Sequence, residues 1–250
     1  MKSLLKGKVA VVTGGTRGIG YAIVKKYLEA GAITILCGSR EETAKKALNK
    51  IKSEMPDAQV DAIWPKLSDR AEMTAALNAI KEKYGRLDIL ANNAGISQNN
   101  SLFDYKDEDF DKILDINIKA LYSCTRAAAE IMKDNGGGVI INTSSIVSYN
   151  GQGAGCGYPT SKFAVNGLTK SLSRELGKYG IRVNAVAPGV TRTDMLTVLP
   201  DEMIQPIIRN IPLGRLGEPE DVANAFVFLA SDMASYISGA ILPVAGAVVI

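Results

Sequence analysis

This 250-residue sequence predicts an α/β fold: one doubly wound domain built on a parallel, seven-stranded sheet with helices on both faces. Three observations lead there. Short β-rich runs alternate with longer helical patterns, and the runs are continuously apolar, as strands buried on both faces are. The first run passes directly into a glycine-rich turn and then a helical pattern. A 46% hydrophobic, 22% charged composition supplies enough apolar surface to cover such a sheet twice.

The elements follow in order. Strands are expected at 9–13, 33–37, 60–64, 87–91, 139–143 and 181–186, with a late one near 240–244. Helices are expected at about 19–30, 41–54, 69–83, 107–133, 158–178 and 219–230. No repeat, low-complexity tract or linker interrupts them, so residues 1–250 read as a single domain.

Composition excludes several functions. The 29 basic and 26 acidic residues are dispersed, leaving a net charge of +3 with no basic block for a nucleic acid. No apolar run approaches the roughly 18 residues of a membrane span, and the N-terminus lacks the apolar stretch of a secretory signal. Cys37, Cys124 and Cys156 are odd in number and not in C-x-x-C spacing, which suggests free thiols in a reducing cytoplasm. Histidine is absent, which rules out a histidine triad or a histidine metal site, and no metal is expected.

The glycine-rich turn lies in "VAVVTGGTRGIGYAIVKK", with Gly14, Gly18 and Gly20 in G-x-x-x-G-x-G spacing. Glycine there permits a tight turn and lets backbone N–H groups approach a pyrophosphate at a helix N-terminus. Dinucleotide binding is the expectation, with a ligand-free tight turn as the alternative. After the second strand, "CGSREE" offers Ser39 and Arg40 where a carboxylate would bind a ribose 2′-hydroxyl and repel a 2′-phosphate. With Arg17 in the glycine loop, this favours NADP(H) over NAD(H), because a guanidinium suits phosphate.

Two tyrosines precede a lysine by four residues: Tyr21 and Lys25, and Tyr158 and Lys162. Chance supplies about one such pair in a chain of this composition, so spacing cannot choose between them. Position can. Tyr21 follows the glycine loop, whereas Tyr158 follows "INTSS", a strand end carrying Ser144 and Ser145. Residues i and i+4 share a helix face, so the Lys162 ammonium is expected to approach the Tyr158 phenol, lower its pKa and make it a usable acid/base.

These motifs together resemble the short-chain dehydrogenase/reductase family over nearly the whole chain. Thr13-Gly14-x-x-x-Gly18-x-Gly20 looks like its Rossmann-type cofactor loop, and Asn92-Asn93-Ala94-Gly95 like its strand-four signature. "APGVTRTDM" looks like its Pro-Gly element. The resemblance implies a catalytic tetrad of Asn117, Ser145, Tyr158 and Lys162; Ser145 is preferred to Ser144 because it stands thirteen residues before the tyrosine. It further implies cofactor contacts from Gly14, Thr16, Arg17, Gly18, Ile19, Gly20, Ser39, Arg40, Leu67, Asn93, Ala94, Gly95, Tyr158, Lys162, Pro188, Gly189, Val190 and Thr193. In the implied reaction Tyr158 exchanges the proton, Ser145 positions the substrate oxygen, Lys162 holds the nicotinamide ribose and Asn117 anchors a relay water.

Three departures from the family pattern stand out. Lys66 replaces an aspartate that touches adenine in many relatives, leaving Asp69 and the Leu67 backbone nearby. The ending "PVAGAVVI" replaces Asp-Gly-Gly, and its Val248, Val249 and Ile250 suit a subunit contact, since relatives are often homotetramers. Cys156, two residues before Tyr158, reads as a small loop residue more readily than as a pocket wall.

A substrate lid is expected at about 190–215. Met195, Leu196, Val198, Leu199, Met203, Ile204, Ile207 and Ile208 make it apolar, with Ile146, Val147 and Tyr149 as the opposite wall. Such walls suit a bulky apolar alcohol or ketone. Within the family the motifs look most like bacterial bile-acid and hydroxysteroid dehydrogenases, which implies NADP(H)-dependent oxidation of a steroid hydroxyl. One alternative is a 3-oxoacyl-acyl-carrier-protein reductase, which needs a basic docking rim that this chain supplies only as scattered cations. Another, of a different class, is a non-catalytic dinucleotide sensor, against which Tyr158 and Lys162 both stand.

Overall fold

The computed structural model describes residues 3–193 and 201–248. Seven strands, β1 (Val9–Thr13), β2 (Ile33–Cys37), β3 (Val60–Ile63), β4 (Ile89–Asn92), β5 (Gly138–Thr143), β6 (Ile181–Pro188) and β7 (Ile241–Val244), form one sheet in the order β3-β2-β1-β4-β5-β6-β7. Every pairing is parallel, with Val9 opposite Ile33, Ala10 opposite Ile89 and Asn92 opposite Asn142. The strand order reverses between β1 and β4. Loops leaving those two strands diverge to opposite faces and open a crevice at the carboxyl edge of the sheet, where a ligand can enter.

Alternation along β1 builds both cores. Ala10 and Val12 face one side and pack with Ile23, Val24 and Tyr27 of α1 (Gly18–Glu29) and Phe226 of α9 (Pro219–Ala230). Val9 and Val11 face the other, against Met73 and Leu77 of α3 (Arg70–Tyr84) and Cys124 and Ala128 of α5 (Leu121–Asp134). A strand apolar at every position is thus the direct result of two helical layers. Caps delimit the helices: Asp69 accepts from the Ala71 and Glu72 N–H groups at the start of α3, and Glu218 with Asp221 forms a capping box on α9.

Three elements differ from the sequence expectation. The helix expected at 107–133 is α4 (Asp107–Leu114), a π-helical stretch Asp115–Ala120, and then α5. A tight strand-end turn forms α6 (Val147–Asn150), and α8 (Asp201–Arg209) lies in the lid region. β3 stops at Ile63, leaving Trp64 39% exposed with Lys45 stacked on its ring, so the edge strand loses its last expected residue to solvent. The remaining helices are α2 (Glu41–Glu54) and α7 (Gly157–Leu176). Among the described residues, no helix is long and apolar enough to cross a membrane.

Candidate active site

Thr13, at the end of β1, ties the glycine turn to β4. Its hydroxyl oxygen accepts from the Asn93 and Ala94 N–H groups at 3.0 and 3.1 Å. The Asn93 amide donates back to the Thr13 and Gly14 carbonyls at 3.2 and 3.3 Å. Gly14 and Gly18 hold φ values of 65° and 54°, a region that favours glycine, and a Cβ on Gly20 would sit 2.1 Å from the Gly14 carbonyl oxygen. Helix α1 begins here with no side-chain cap and no acid in its first turn, so its leading N–H groups face outward without a carboxylate. A close-packed backbone cradle under such a helix end fits a pyrophosphate. Asn93, expected to touch cofactor, spends its side chain shaping this cradle.

The edge of the cradle carries the adenosine end. Gly38, Ser39 and Arg40 follow β2; Gly38 is packed against Thr16 and Ala44, while Arg40, Ser39 and Arg17 are exposed. Glu41, next in sequence, is paired with Lys45 at 2.6 Å. Lys66 is exposed and Leu67 half-buried against the α3 side of the core. Asp69 does not stand in for the missing adenine-contacting acid, because its side chain is committed to capping α3.

At the reacting end the structure separates the two serines. Ser144 turns toward α7 and donates to the Asn166 amide oxygen at 2.6 Å. Ser145 turns the other way, close enough to the Tyr158 hydroxyl to oppose the rise of its pKa. Lys162 is buried, donates to the Thr143 carbonyl at 2.8 Å and lies 5.6 Å from the centre of the Tyr158 ring. Gly95, in the loop after β4, faces the same spot: a Cβ there would lie 3.7 Å from the Lys162 ammonium and 3.2 Å from the Asn117 amide oxygen. Asn117, Ser145, Tyr158, Lys162 and Gly95 therefore converge at the carboxyl edge beside the cradle.

The electrostatics correct one expectation. Burial pushes the Tyr158 phenol above its ordinary value, and the Ser145 hydrogen bond is what opposes that rise. Lys162 does not lower it in this geometry. Its own ammonium is depressed to about 8 by burial, and its nearest bond goes to a carbonyl rather than to the phenol. Near neutral pH the site thus holds a protonated phenol above a lysine close to its own titration point.

Asn117 sits inside the π-helical stretch, fully engaged: its oxygen accepts from Ile96 N–H at 2.9 Å, and its amide donates to the Ile96 carbonyl at 2.9 Å and to the Ser161 hydroxyl at 3.0 Å. Ser161 in turn donates to the Tyr158 carbonyl at 2.7 Å. The widened turn and the amide clamp explain why this helix is not uniform.

The Pro-Gly element closes the cleft. Pro188 ends β6, Gly189 leaves no room for a Cβ against Ala245, and Thr193 lies against Gly18, with 3.5 Å between its methyl and a Cβ placed on that glycine. Val190 receives the Gly217 N–H at 3.0 Å and borders a small cluster of Ile204, Ile211 and Leu216 with Ile207, Ile208 and Val248. Those lid isoleucines therefore serve the lid's own packing. Met195, Leu196, Val198 and Leu199 lie outside the described residues, as do Val249, Ile250 and the Met203 side chain. Val248 packs on its own chain. Of the opposite wall, Tyr149 donates its hydroxyl to the Ile241 carbonyl at 3.3 Å. Cys156 is exposed at the start of α7.

The other Tyr/Lys pair is structural: Lys25 and Tyr21 both bond Glu54, at 2.8 and 3.5 Å, on the outer surface. Sequence reasoning missed Leu102 and Phe103, 70% and 95% exposed in the loop that follows β4. Their only signal was two adjacent apolar residues in a polar loop on the site's edge of the sheet.

Comparison with known proteins agrees with this geometry. Residues 14–247 match a family model described as enoyl-(acyl carrier protein) reductase. The chain is 62% identical to a 3α-hydroxysteroid dehydrogenase of Mediterraneibacter gnavus over 99% of both chains. It is 43% identical to a 3-oxoacyl-acyl-carrier-protein reductase of Rickettsia felis over 97% of both. Among solved structures, a 7α-hydroxysteroid dehydrogenase complexed with NADH and 7-oxo glycochenodeoxycholic acid superposes with a TM-score of 0.91 at 34% identity, covering 98% of this chain and 95% of that one.

Proposed function

The chain belongs to the short-chain dehydrogenase/reductase family and is a nicotinamide-dependent oxidoreductase; from that premise we propose that it interconverts a secondary hydroxyl and a ketone on a hydroxysteroid, with Tyr158 as the acid/base. The observation that carries the reading is the convergence of Ser145, Tyr158 and Lys162 beside the glycine cradle. The high identity to a 3α-hydroxysteroid dehydrogenase supports the substrate class. Exposed Leu102 and Phe103 on the same edge of the sheet suit an apolar ring system.

When bound, the dinucleotide accepts or supplies the hydride. Gly14, Thr16, Gly18, Ile19 and Gly20 would hold its phosphates, Ala94 and Gly95 would keep the floor of the cleft open, and Pro188, Gly189, Val190 and Thr193 would form its wall. Leu67 lines the adenine side through its backbone. Exposed Arg17, Ser39 and Arg40 support NADP(H) over NAD(H), since a serine and an arginine, not a carboxylate, directly follow Gly38 after β2.

In the oxidative direction Tyr158 acts as the phenolate, its own proton having first passed toward solvent, and takes the proton of the substrate hydroxyl as the carbinol carbon loses its hydride; in reduction the protonated phenol gives its proton to the carbonyl oxygen. Ser145 bonds both the phenol and the reacting oxygen, which fixes their separation. Lys162 keeps N–H groups beyond the one given to Thr143, and these hold the ribose and carry the proton away from the phenol. The Asn117 side chain has no donor left for a water, so its part in the relay falls to its main-chain carbonyl.

Exposed Tyr122 on α5 and Phe163 on α7, 43% and 49% accessible, support a homotetramer. The buried thiols of Cys37 and Cys124, both pushed up by burial, fit a reducing cytoplasm. The second reading, reduction of a 3-oxoacyl thioester, is favoured by the reductase relatives. An absorbance assay of both coenzymes against a hydroxysteroid and bile-acid panel and a 3-oxoacyl thioester separates them. Turnover of steroids with NADP(H) is expected; rapid thioester reduction with no steroid turnover would overturn the substrate assignment.

A further inference from the structure

Ser144, Ser148 and Asn166 form a polar chain beneath the site that none of the roles above uses. The Ser144 hydroxyl has two acceptors in reach, the Asn166 amide oxygen at 2.6 Å and, farther off, the Ser148 hydroxyl oxygen at 3.1 Å, and the shorter one sets its direction. The Ser144 hydroxyl donates to the Asn166 amide oxygen at 2.6 Å, the Asn166 amide donates to the Ser148 hydroxyl oxygen at 2.8 Å, and the Ser148 hydroxyl donates to the Ser145 carbonyl at 2.6 Å. Ser144 and Ser148 are 1% and 2% exposed, so neither has water as a substitute partner. The chain begins on one neighbour of Ser145 and ends on the Ser145 peptide itself. Its middle link, Asn166, stands one further helical step along α7 from Lys162, as Lys162 does from Tyr158. Tyr158, Lys162 and Asn166 therefore share a helix face at i, i+4 and i+8.

We propose that Asn166 is a positioning residue for the reaction: through Ser144 and Ser148 it locks the strand-end turn to α7, so that the Ser145 hydroxyl stays facing Tyr158. The serine and the tyrosine come from different elements, the turn after β5 and the start of α7. The Ser145 side chain makes only a long contact with its own turn, from the Val147 N–H at 3.4 Å. Its backbone is held on one side by β6, where the Ser144 and Ile146 N–H groups donate to the Val186 and Pro188 carbonyls at 2.7 and 3.0 Å, and on the other by the Ser148 pair, whose N–H and hydroxyl both bond the Ser145 carbonyl, at 3.0 and 2.6 Å. The bonds to β6 fix the turn against the sheet, and the Asn166 link is what ties it by directional bonds to the helix that carries Tyr158.

This inference rests on the roles given to Ser145 and Tyr158, and the test separates the two. Steady-state kinetics and coenzyme affinity are measured for Asn166→Leu, Ser148→Ala and their double variant, each in the native chain and in a Ser145→Ala background, on the steroid substrate that turns over. Asn166→Leu is expected to lower kcat by about ten- to a hundredfold, the scale of a small misplacement of reacting groups. Coenzyme affinity is expected to stay unchanged. The double variant should be no worse than the poorer single one, because both cut one chain. In the Ser145→Ala background, Asn166→Leu should add no further loss. If Asn166→Leu does not fold, Asn166→Asp retains the acceptor for Ser144, loses the donor to Ser148, and is expected to lose part of kcat. Native kcat in Asn166→Leu, or a further loss on top of Ser145→Ala, would overturn the inference. Native kcat in Ser145→Ala would instead overturn the assignment of Ser145 itself.

Discussion

Lys162 places a charged group where the fold least favours one. Its pKa of about 8 lies below the ordinary 10.5. Between those values the unfolded chain holds the proton and the folded chain does not, so stability through this group rises with pH across that window. Below about 8 the cost of burying the ammonium is present in full. Lys162→Met is therefore expected to raise the thermal midpoint at pH 6–7, by about 2–4 °C for each kcal/mol recovered, and to abolish most turnover. The gain should shrink as pH climbs from 8 toward 10.5, and unfolding scans across that range check the sign. Ser145→Ala removes the bond that opposes the burial-driven rise of Tyr158. It is expected to cost about 10²–10³ in kcat and to move the rising limb of the oxidation pH profile upward. Residue identities were legible in the sequence because register distinguishes Ser145 from Ser144. Which groups set the phenol's pKa was not, since a lysine one turn away can point at a carbonyl as readily as at a hydroxyl.

At the scale of elements, the strands and most helices follow from apolar runs and periodicity, because two helical layers force β1 and β4 to be apolar up to their final residues and β5 to be apolar at its centre. The interrupted helix at 107–134 was not legible. Its interruption depends on Asn117 meeting Ile96, a contact 21 residues distant that no local pattern encodes. Nor did the sequence show that Asp69, near the missing adenine contact, would cap α3. The C-terminal element offers a stability test. Ala247 adopts φ 65°, in the left-handed region, where the family ending would have glycine. Ala247→Gly is expected to stabilise the protein by about 1 kcal/mol, since a Cβ in that region costs about 1–2 kcal/mol; denaturant midpoints check it. Phe226→Ala, at a position with no exposure on α9, should cost about 3–5 kcal/mol by opening a cavity against α1 and β1.

The whole molecule is a sheet whose order reverses between β1 and β4, with the glycine cradle on one side of that reversal and the Ser145–Tyr158–Lys162 cluster on the other. The site exists because the topology brings residues 14–20, 93–95, 145, 158–162 and 189–193 to one edge. Sequence motifs identified nearly all of these, since each sits at a strand's carboxyl end. A homotetramer predicts a light-scattering mass of about four times the 26.6 kDa chain, and a monomer would leave Tyr122 and Phe163 unexplained. Turnover depends on one phenol. Tyr158→Phe, assayed for steroid oxidation at the reduced-coenzyme absorbance band and for coenzyme binding by fluorescence, is the most direct measurement. It is expected to bind coenzyme as the native chain does while losing about 10²–10⁴ in turnover; native turnover in that variant would contradict the proton-transfer role on which everything else depends.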